Sequence, residues 1–429
     1  MPKLLVIADD LTGANETGAQ FAKKGISVFV MTEPGSEFAG SLNEYQVLVV
    51  NTESRHIDPR EAAERVSLAV RYGIESGSRW FYKKTDSTLR GNVGSELEAL
   101  LSASERRILP FAPAFPKQKR TTRDGFQYVA DAMLHETAFA RDSLNPITES
   151  YIPAIINKQT PIPTRVVRTS DFRQLESMEF PGGGIYVFDA TSDDELRRVG
   201  EMLKNKHLLE VVAGSAGFAE HLPDLLDFER STFATRRLRG RMMVVNGSLN
   251  EVSLAQIRRA EKSGFAVITL PPEILVREDG VETNEADDLI AEIVELDSRG
   301  REVILRSIKS DEDLQSYLSL AERLVIDPQR LPLRVAESTG KLVNKILRHT
   351  SFKLLTVFGG DTLVALARAL NWPGLLPRGE VLPGIIFSEV AGREGEMLLI
   401  TKAGGFGSED VLQQIKEASD EITSQQAII

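Results

Sequence analysis

Short runs of Val, Ile and Leu recur along the whole chain, separated by longer segments whose apolar residues fall at helical spacing. That alternation leaves few architectures open, because strands alternating with helices build mainly parallel sheets covered by helices. In the first half the expected strands are "KLLVIA", "ISVFVM", "QVLVVN", "WFYKK", "RRILPF", "GIYVFDA" and "LLEVVAG"; in the second they are "MMVVNG", "FAVITL", "EVILRS", "KLLTVFGG", "GIIFSEV" and "EMLLITK". Helices such as "ETGAQFAKKG" and "DPREAAERVSLAVRYG" lie between them, the first stopping at Gly25 as a C-terminal glycine would. A chain of 429 residues is too long for one ordinary core. The charged stretch "DFERSTFATRRLRGR", 227–241, lacks an apolar period and marks the expected junction. The sequence therefore predicts an α/β protein of two domains, 1–232 and 233–429, each with a mainly parallel sheet flanked by helices. The cleft between them is the expected place of an active site.

Composition excludes several classes. The chain has no Cys, which removes disulfides, thiolate nucleophiles and Cys-ligated zinc. A net charge of −11 disfavours extended contact with nucleic acid or anionic lipid. The one basic cluster, "KQKRTTR" at 117–123, reads as a solvated loop or a pocket for a small anion. No apolar run is long enough for a membrane span, and "MPKLLVIADD" reads as a first strand, not a leader, so a cytoplasmic protein is expected. The phosphate-loop pattern is missing: "STGKL" continues with Leu342 and lacks the earlier glycine. "AGSAG", 213–217, has Ala213 in place of the first glycine of a nucleophile elbow. In "ADDLT", Ala8 stands where an aspartyl-phosphate enzyme would need its nucleophile. The histidines show no metal-binding spacing, and no metal site is expected on the protein itself.

Three segments of the first half carry chemistry. "VIADDLTGANETG", 6–18, places Asp9 and Asp10 where a strand stops and a helix begins. Either can cap that helix, but ligands of open α/β sheets also bind beyond the carboxyl ends of strands. "FYKKTDSTLRGNVGSELEALL", 81–101, packs Lys83, Lys84, Thr85, Asp86, Ser87, Thr88 and Arg90 into one short loop. A helix cap flanked by solvated lysines is the simple account. The alternative is a site in which Lys84 and Arg90 pair an acid while Asp86 and Ser87 hold hydroxyls. "NTESRH", 51–56, brings Arg55 to the same edge. In the second half "TVFGGDTLVALARAL" (Gly359, Gly360, Asp361, Thr362), "VVNGSLN" (Ser248) and "ITKAGGFGSEDVL" (Lys402, Gly405) each read as a strand, a glycine loop and a helix. Such loops let backbone N–H groups approach phosphates, and three in one domain point to a nucleotide.

"IADDLTGANETGAQFAKKG", "KKTDSTLRGN", "FAPAFPKQKRTTRDG", "VFGGDT" and "KAGGFG" together resemble the four-carbon acid sugar kinases, in family order and across nearly the whole chain. The resemblance implies that the N-terminal domain binds an acid sugar and the C-terminal domain binds ATP with Mg²⁺. It also implies that phosphate passes to the C4 hydroxyl of D-threonate, with D-erythronate, 3-oxo-tetronate and a non-catalytic sensor as alternatives. By the same resemblance Asp10, Arg55, Lys84, Thr85, Asp86 and Ser87 are acid-sugar positions. Ser248, Gly359, Gly360, Asp361, Thr362 and Gly405 are ATP positions. Asp86, and after it Asp361, is the expected base. Lys119 replaces an expected glycine, Ser143 an expected proline and Tyr151 an expected histidine. A small-molecule enzyme of this kind is expected to form a homodimer.

Overall fold

The structure is a computed structural model that describes residues 1–33, 42–142, 145–169, 177, 179–231, 241–393, 397–402 and 405–425. Most of the expected junction, together with Ser143, Ala403 and Gly404, lies outside the described residues. The chain divides into two compact units, Met1–Thr232 and Phe233–Ile429.

Unit one holds the parallel strands β1 (Leu4–Ala8), β2 (Val28–Met31), β3 (Val47–Asn51), β4 (Trp80–Lys84) and β5 (Ile108–Ala112). A three-stranded antiparallel sheet follows, β6 (Arg120–Arg123), β7 (Phe126–Val129) and β8 (Ala132–Met133), before β9 (Thr164–Val167), β10 (Gly184–Phe188) and β11 (Val211–Gly214) return to the main sheet. The parallel strands run in the order β2-β3-β1-β4-β11-β5-β10-β9. Helices α1 (Leu11–Ala22), α2 (Pro59–Glu75) and α3 (Val93–Ala103) cover the region around β1. Strands β1 to β4 are buried end to end, which explains their unbroken apolar runs. The strand order reverses between β1 and β4, the kind of crevice where ligands of open α/β sheets bind.

The register fixes that crevice. Ala8 is level with both Asn51 and Lys84, Lys84 with Gly214, and Gly214 with Ala112. The residues that leave these strands therefore start from one line. Along β4 the side chains alternate. Phe81 meets α2 at Gly73 and Lys83 reaches α3, whereas Lys84 turns to α1 at Gly13.

Two expectations change here. The basic stretch at 117–123 is not one loop, since Arg120–Arg123 form β6 and pair with β7. Two threonines favour extension, and Asp124 and Gly125, both at positive φ, make the two-residue turn that such hairpins prefer. Lys119, just before, sits at φ +57, which explains why a glycine is expected there. Tyr151 packs against Phe126 with ring centres 4.9 Å apart and ring planes tilted by 41°, a packing role at the hairpin.

Unit two has parallel strands β12 (Met242–Asn246), β13 (Ala266–Thr269), β14 (Val303–Arg306), β15 (Leu354–Phe358) and β18 (Leu398–Lys402). An antiparallel pair, β16 (Gly374–Leu382) and β17 (Ile385–Val390), completes the order β13-β14-β12-β15-β18-β17-β16. β16 escapes sequence reading because Pro377 and Gly379 interrupt it, at a register shift against β17. Asn246, Phe358 and Lys402 are level at the carboxyl edge.

Candidate functional site

Asp10 is the N-cap of α1, its Oδ1 accepting from the Gly13 N–H at 3.2 Å. Capping is only half of its role. Arg55 Nη2 donates to Asp10 Oδ1 at 2.6 Å while Arg55 Nε donates to Asp9 Oδ2 at 2.7 Å, so one guanidinium ties both aspartates to the loop after β3. Burial works to raise the Asp9 pKa, but Arg55, Lys83 and Lys84 more than offset it and hold the carboxyl below its ordinary value. Among the described residues the buried Asp9 Oδ1 oxygen has no hydrogen-bond partner.

Lys84 is 3% exposed and packs over the first turn of α1. A methyl group at Gly13 would lie 2.7 Å from its Nζ and 2.5 Å from Asp10 Oδ1, so any side chain there would displace one or both. Asp86, also buried, accepts through Oδ2 from Arg90 Nε and Thr88 Oγ1, both at 2.6 Å. Burial opposes its ionisation, yet Arg90 and Arg55 pull its pKa well below the ordinary value. Arg90 also reaches Asp142 at 3.1 Å. Thr85 turns inward, its N–H and hydroxyl both directed to the Gly214 carbonyl. The Ser87 carbonyl accepts from Gln127 Nε2 at 2.8 Å, which docks the β6–β7 hairpin on this loop.

The structure thus brings together Asp10, Arg55, Lys84 and Asp86 at the reversal of strand order, with Thr85 and Ser87 tied to neighbouring backbone. Sequence reading missed Arg120, whose charge acts on Asp86 and Glu16. Its only signal was membership of the basic cluster. Neither Asp86 nor Ser87 caps α3: Gln159 Oε1 instead accepts from Gly94 N–H at 2.7 Å.

In unit two the loops after β12 and β15 touch. Gly247 N–H donates to the Phe358 carbonyl at 2.9 Å, and a methyl group at Gly247 would lie 1.8 Å from Thr362 Oγ1. Gly359, at φ +109, opens the helix Gly360–Ala369 with no side-chain cap, so its first N–H groups are not spent on one. Ser248, Gly359, Gly360 and Thr362 therefore share one corner, with Asp361 exposed in the first helical turn. Ser248 does not start the next helix, since Asn250 caps it by accepting from Val252 N–H at 2.9 Å. Lys402 Nζ donates to the Phe406 carbonyl at 3.1 Å and lies 4.4 Å from the Phe358 ring centre. Burial pushes its pKa down to about 7. Gly405 is exposed, and a side chain there would meet no atom within 4 Å.

Acids and cations line a strand-order reversal in one α/β unit, and bare N–H groups meet a glycine turn in the other. That is the plan of a two-domain protein with separate sites for a polar small molecule and an anion. A sugar-binding N-terminal domain family matches residues 4–222, and a nucleotide-binding C-terminal domain family matches 243–412. The chain is 34% identical to a D-threonate kinase of Salmonella typhimurium, covering 96% of each. It is 26% identical to a D-erythronate kinase of Heliobacterium modesticaldum, over 96% of this chain and 95% of the other. The chain belongs to the four-carbon acid sugar kinase family. The solved structure of Haemophilus influenzae protein HI1011 has the same fold, with a TM-score of 0.71 at 21% identity over 98% of this chain and all of that one. Among the described residues no helix is long and apolar enough to cross a membrane.

Proposed function

We propose that this chain transfers the γ-phosphoryl group of ATP to the C4 hydroxyl of D-threonate, giving 4-phospho-D-threonate and ADP. The observation that carries the reading is the meeting of Asp10, Arg55, Lys84 and Asp86 on one edge of the sugar-binding unit. A four-carbon acid sugar is both carboxylate and polyol, and this edge offers a lysine beside two aspartates. In this reading Lys84 pairs with the substrate carboxylate, Asp10 accepts from its hydroxyls, and Arg55 fixes the geometry of both aspartates.

Phosphoryl transfer asks mainly for alignment and charge neutralisation. Asp86 is the first choice to receive the C4 hydroxyl proton. Its carboxyl is kept ionised by Arg90 and Arg55, so it is an acceptor at every physiological pH. Asp361 is the second choice. The corner formed by Ser248, Gly359, Gly360 and Thr362 suits the phosphates, with Gly405 on the neighbouring loop. Among the described residues no group of three or more acids or histidines is ready to hold a metal. Mg²⁺ bound through ATP needs only one or two carboxylates, and exposed Asp361 beside the glycine turn fits that demand. When bound, Mg²⁺ would neutralise phosphate charge.

The test is ADP release from Mg²⁺ and ATP with D-threonate, D-erythronate and 3-oxo-tetronate supplied separately beside a control without acid. Turnover that depends on D-threonate supports the proposal. Preference for another acid moves the substrate, and nucleotide binding without acid-dependent turnover points to a sensor.

A further inference from the structure

Beneath the acid-sugar edge lies an ion pair that the proposed reaction does not use. Lys83 and Glu96 are 0% and 2% exposed, and Lys83 Nζ lies 2.8 Å from Glu96 Oε2. Neither side chain points to the crevice. Lys83 is on the α3 face of β4, opposite Lys84, and Glu96 is in the first turn of α3. A buried pair of this kind seldom adds net stability, because desolvation costs as much as the attraction returns. Its remaining hydrogen bonds indicate a different role.

Each member holds one wall of the site. Lys83 Nζ donates to the Lys84 carbonyl at 2.8 Å, which fixes the backbone where Lys84 leaves β4 toward Asp86. Glu96 Oε1 accepts from the Ser54 hydroxyl, and Ser54 is the residue before Arg55. Ser54 is held further: its N–H donates to the Asp9 carbonyl at 3.0 Å, and its hydroxyl lies 2.7 Å from that of Thr52. Asn92, four residues before Glu96, donates to the Ser54 carbonyl at 2.8 Å. The loop that carries Arg55 and the strand end that carries Lys84 thus meet through one buried pair.

We propose that the Lys83–Glu96 pair is a positioning device for acid-sugar binding, setting the Arg55 loop against the Lys84 strand end through Ser54 on one side and the Lys84 carbonyl on the other. The proposal rests on the acid-sugar kinase reading and deepens it. Neither residue touches substrate. Their loss acts through misplaced Arg55 and Lys84, so the acid KM changes while the ATP KM does not.

The experiment compares wild type with Glu96→Gln and with the double variant Lys83→Met/Glu96→Leu, measuring the KM for the acid, the KM for ATP and the unfolding temperature. The apolar double variant is included because it removes the pair without leaving a buried charge, and such replacements usually fold. The expected result is an acid KM raised at least tenfold in both variants, an ATP KM unchanged within twofold, and a double variant at least as stable as Glu96→Gln. An acid KM near wild type in a folded double variant would overturn the proposal and leave the kinase reading intact. Absence of acid-dependent turnover in wild type would overturn both.

Discussion

Removing Arg55 tests how the site is held together. Arg55 spans Asp9 at 2.7 Å and Asp10 at 2.6 Å, and its own side chain is 10% exposed. In Arg55→Ala, Asp9 remains buried with one oxygen newly unpaired and the other already without a partner among the described residues. Breaking a buried pair from one side costs about 3–5 kcal/mol. For a unit of this size that is a loss of roughly 6–20 °C in unfolding temperature. The loss should depend on pH. In wild type the Asp9 pKa is lowered, so its stabilising contribution is present above the ordinary carboxylate value and is lost as pH falls through the lowered one. Without Arg55 only Lys83 and Lys84 are left to oppose burial, and the pKa is expected to move above the ordinary value. The folded variant then holds a proton that the unfolded chain has released, and its stability falls as pH rises through that window. Thermal unfolding of wild type, Arg55→Ala and Asp9→Asn/Arg55→Ala at pH 5 and pH 7.5 reads this out. The deficit of Arg55→Ala should be larger at pH 7.5, and the double variant should recover the pH-dependent part. A deficit below about 1 kcal/mol, or one equal at both pH values, would refute the reasoning.

Three further outcomes are expected. Lys402 has its pKa lowered to about 7 by burial, so between pH 7 and 10 the unfolded chain binds more protons and wild-type stability should rise with pH; Lys402→Met should flatten that rise in thermal scans. Asp189 accepts from the N–H groups of Asp124 and Gly125, and burial raises its pKa to about 6. Stability should therefore fall as pH rises from 4 to 6, with a shallower fall in Asp189→Asn by the same assay. Gly247→Ala would drive a methyl group to 1.8 Å from Thr362 Oγ1, and steady-state kinetics should show the ATP KM raised at least tenfold with the acid KM unchanged.

The main strands were legible because a strand buried on both faces must be apolar throughout, and β1, β3 and β4 have no exposed residue. Edge and hairpin strands lack that signature. β9 carries exposed Arg165, and β16 carries Pro377. The site divides in the same way. Asp10, Arg55 and Lys84 could be found because each lies at or just past the carboxyl end of a strand, and strand ends share an edge. Their partners could not. Glu96 reads as an ordinary first-turn acid of an amphipathic helix, and only the register of α3 on β4 buries it against Lys83. Arg55 meets Asp9 across 46 positions of chain, a distance that no local pattern encodes.

That pairing decides which cation remains for a ligand. Sequence reading gave Lys84 and Arg90 as partners for an acid and brought Arg55 to the same edge, but Arg90 is held by Asp86 and Asp142 and Arg55 by two aspartates, so a ligand would have to compete for either. Lys84 differs: among the described residues no carboxylate lies within ion-pair distance of its ammonium, which is packed against Gly13 beside the cap of α1. A substrate carboxylate should therefore be received by Lys84, and Arg55 should act on affinity through the aspartates it orients. Lys84→Met should then raise the acid KM at least tenfold while the fold survives, since it exchanges an unpaired cation for an apolar chain of similar length. Lys84→Arg should not restore affinity, because a planar, forked guanidinium does not reproduce the compact point charge that sits against Gly13. Titration of the acid against both variants decides the point, and an acid KM within threefold of wild type in Lys84→Met would move the carboxylate to one of the two arginines.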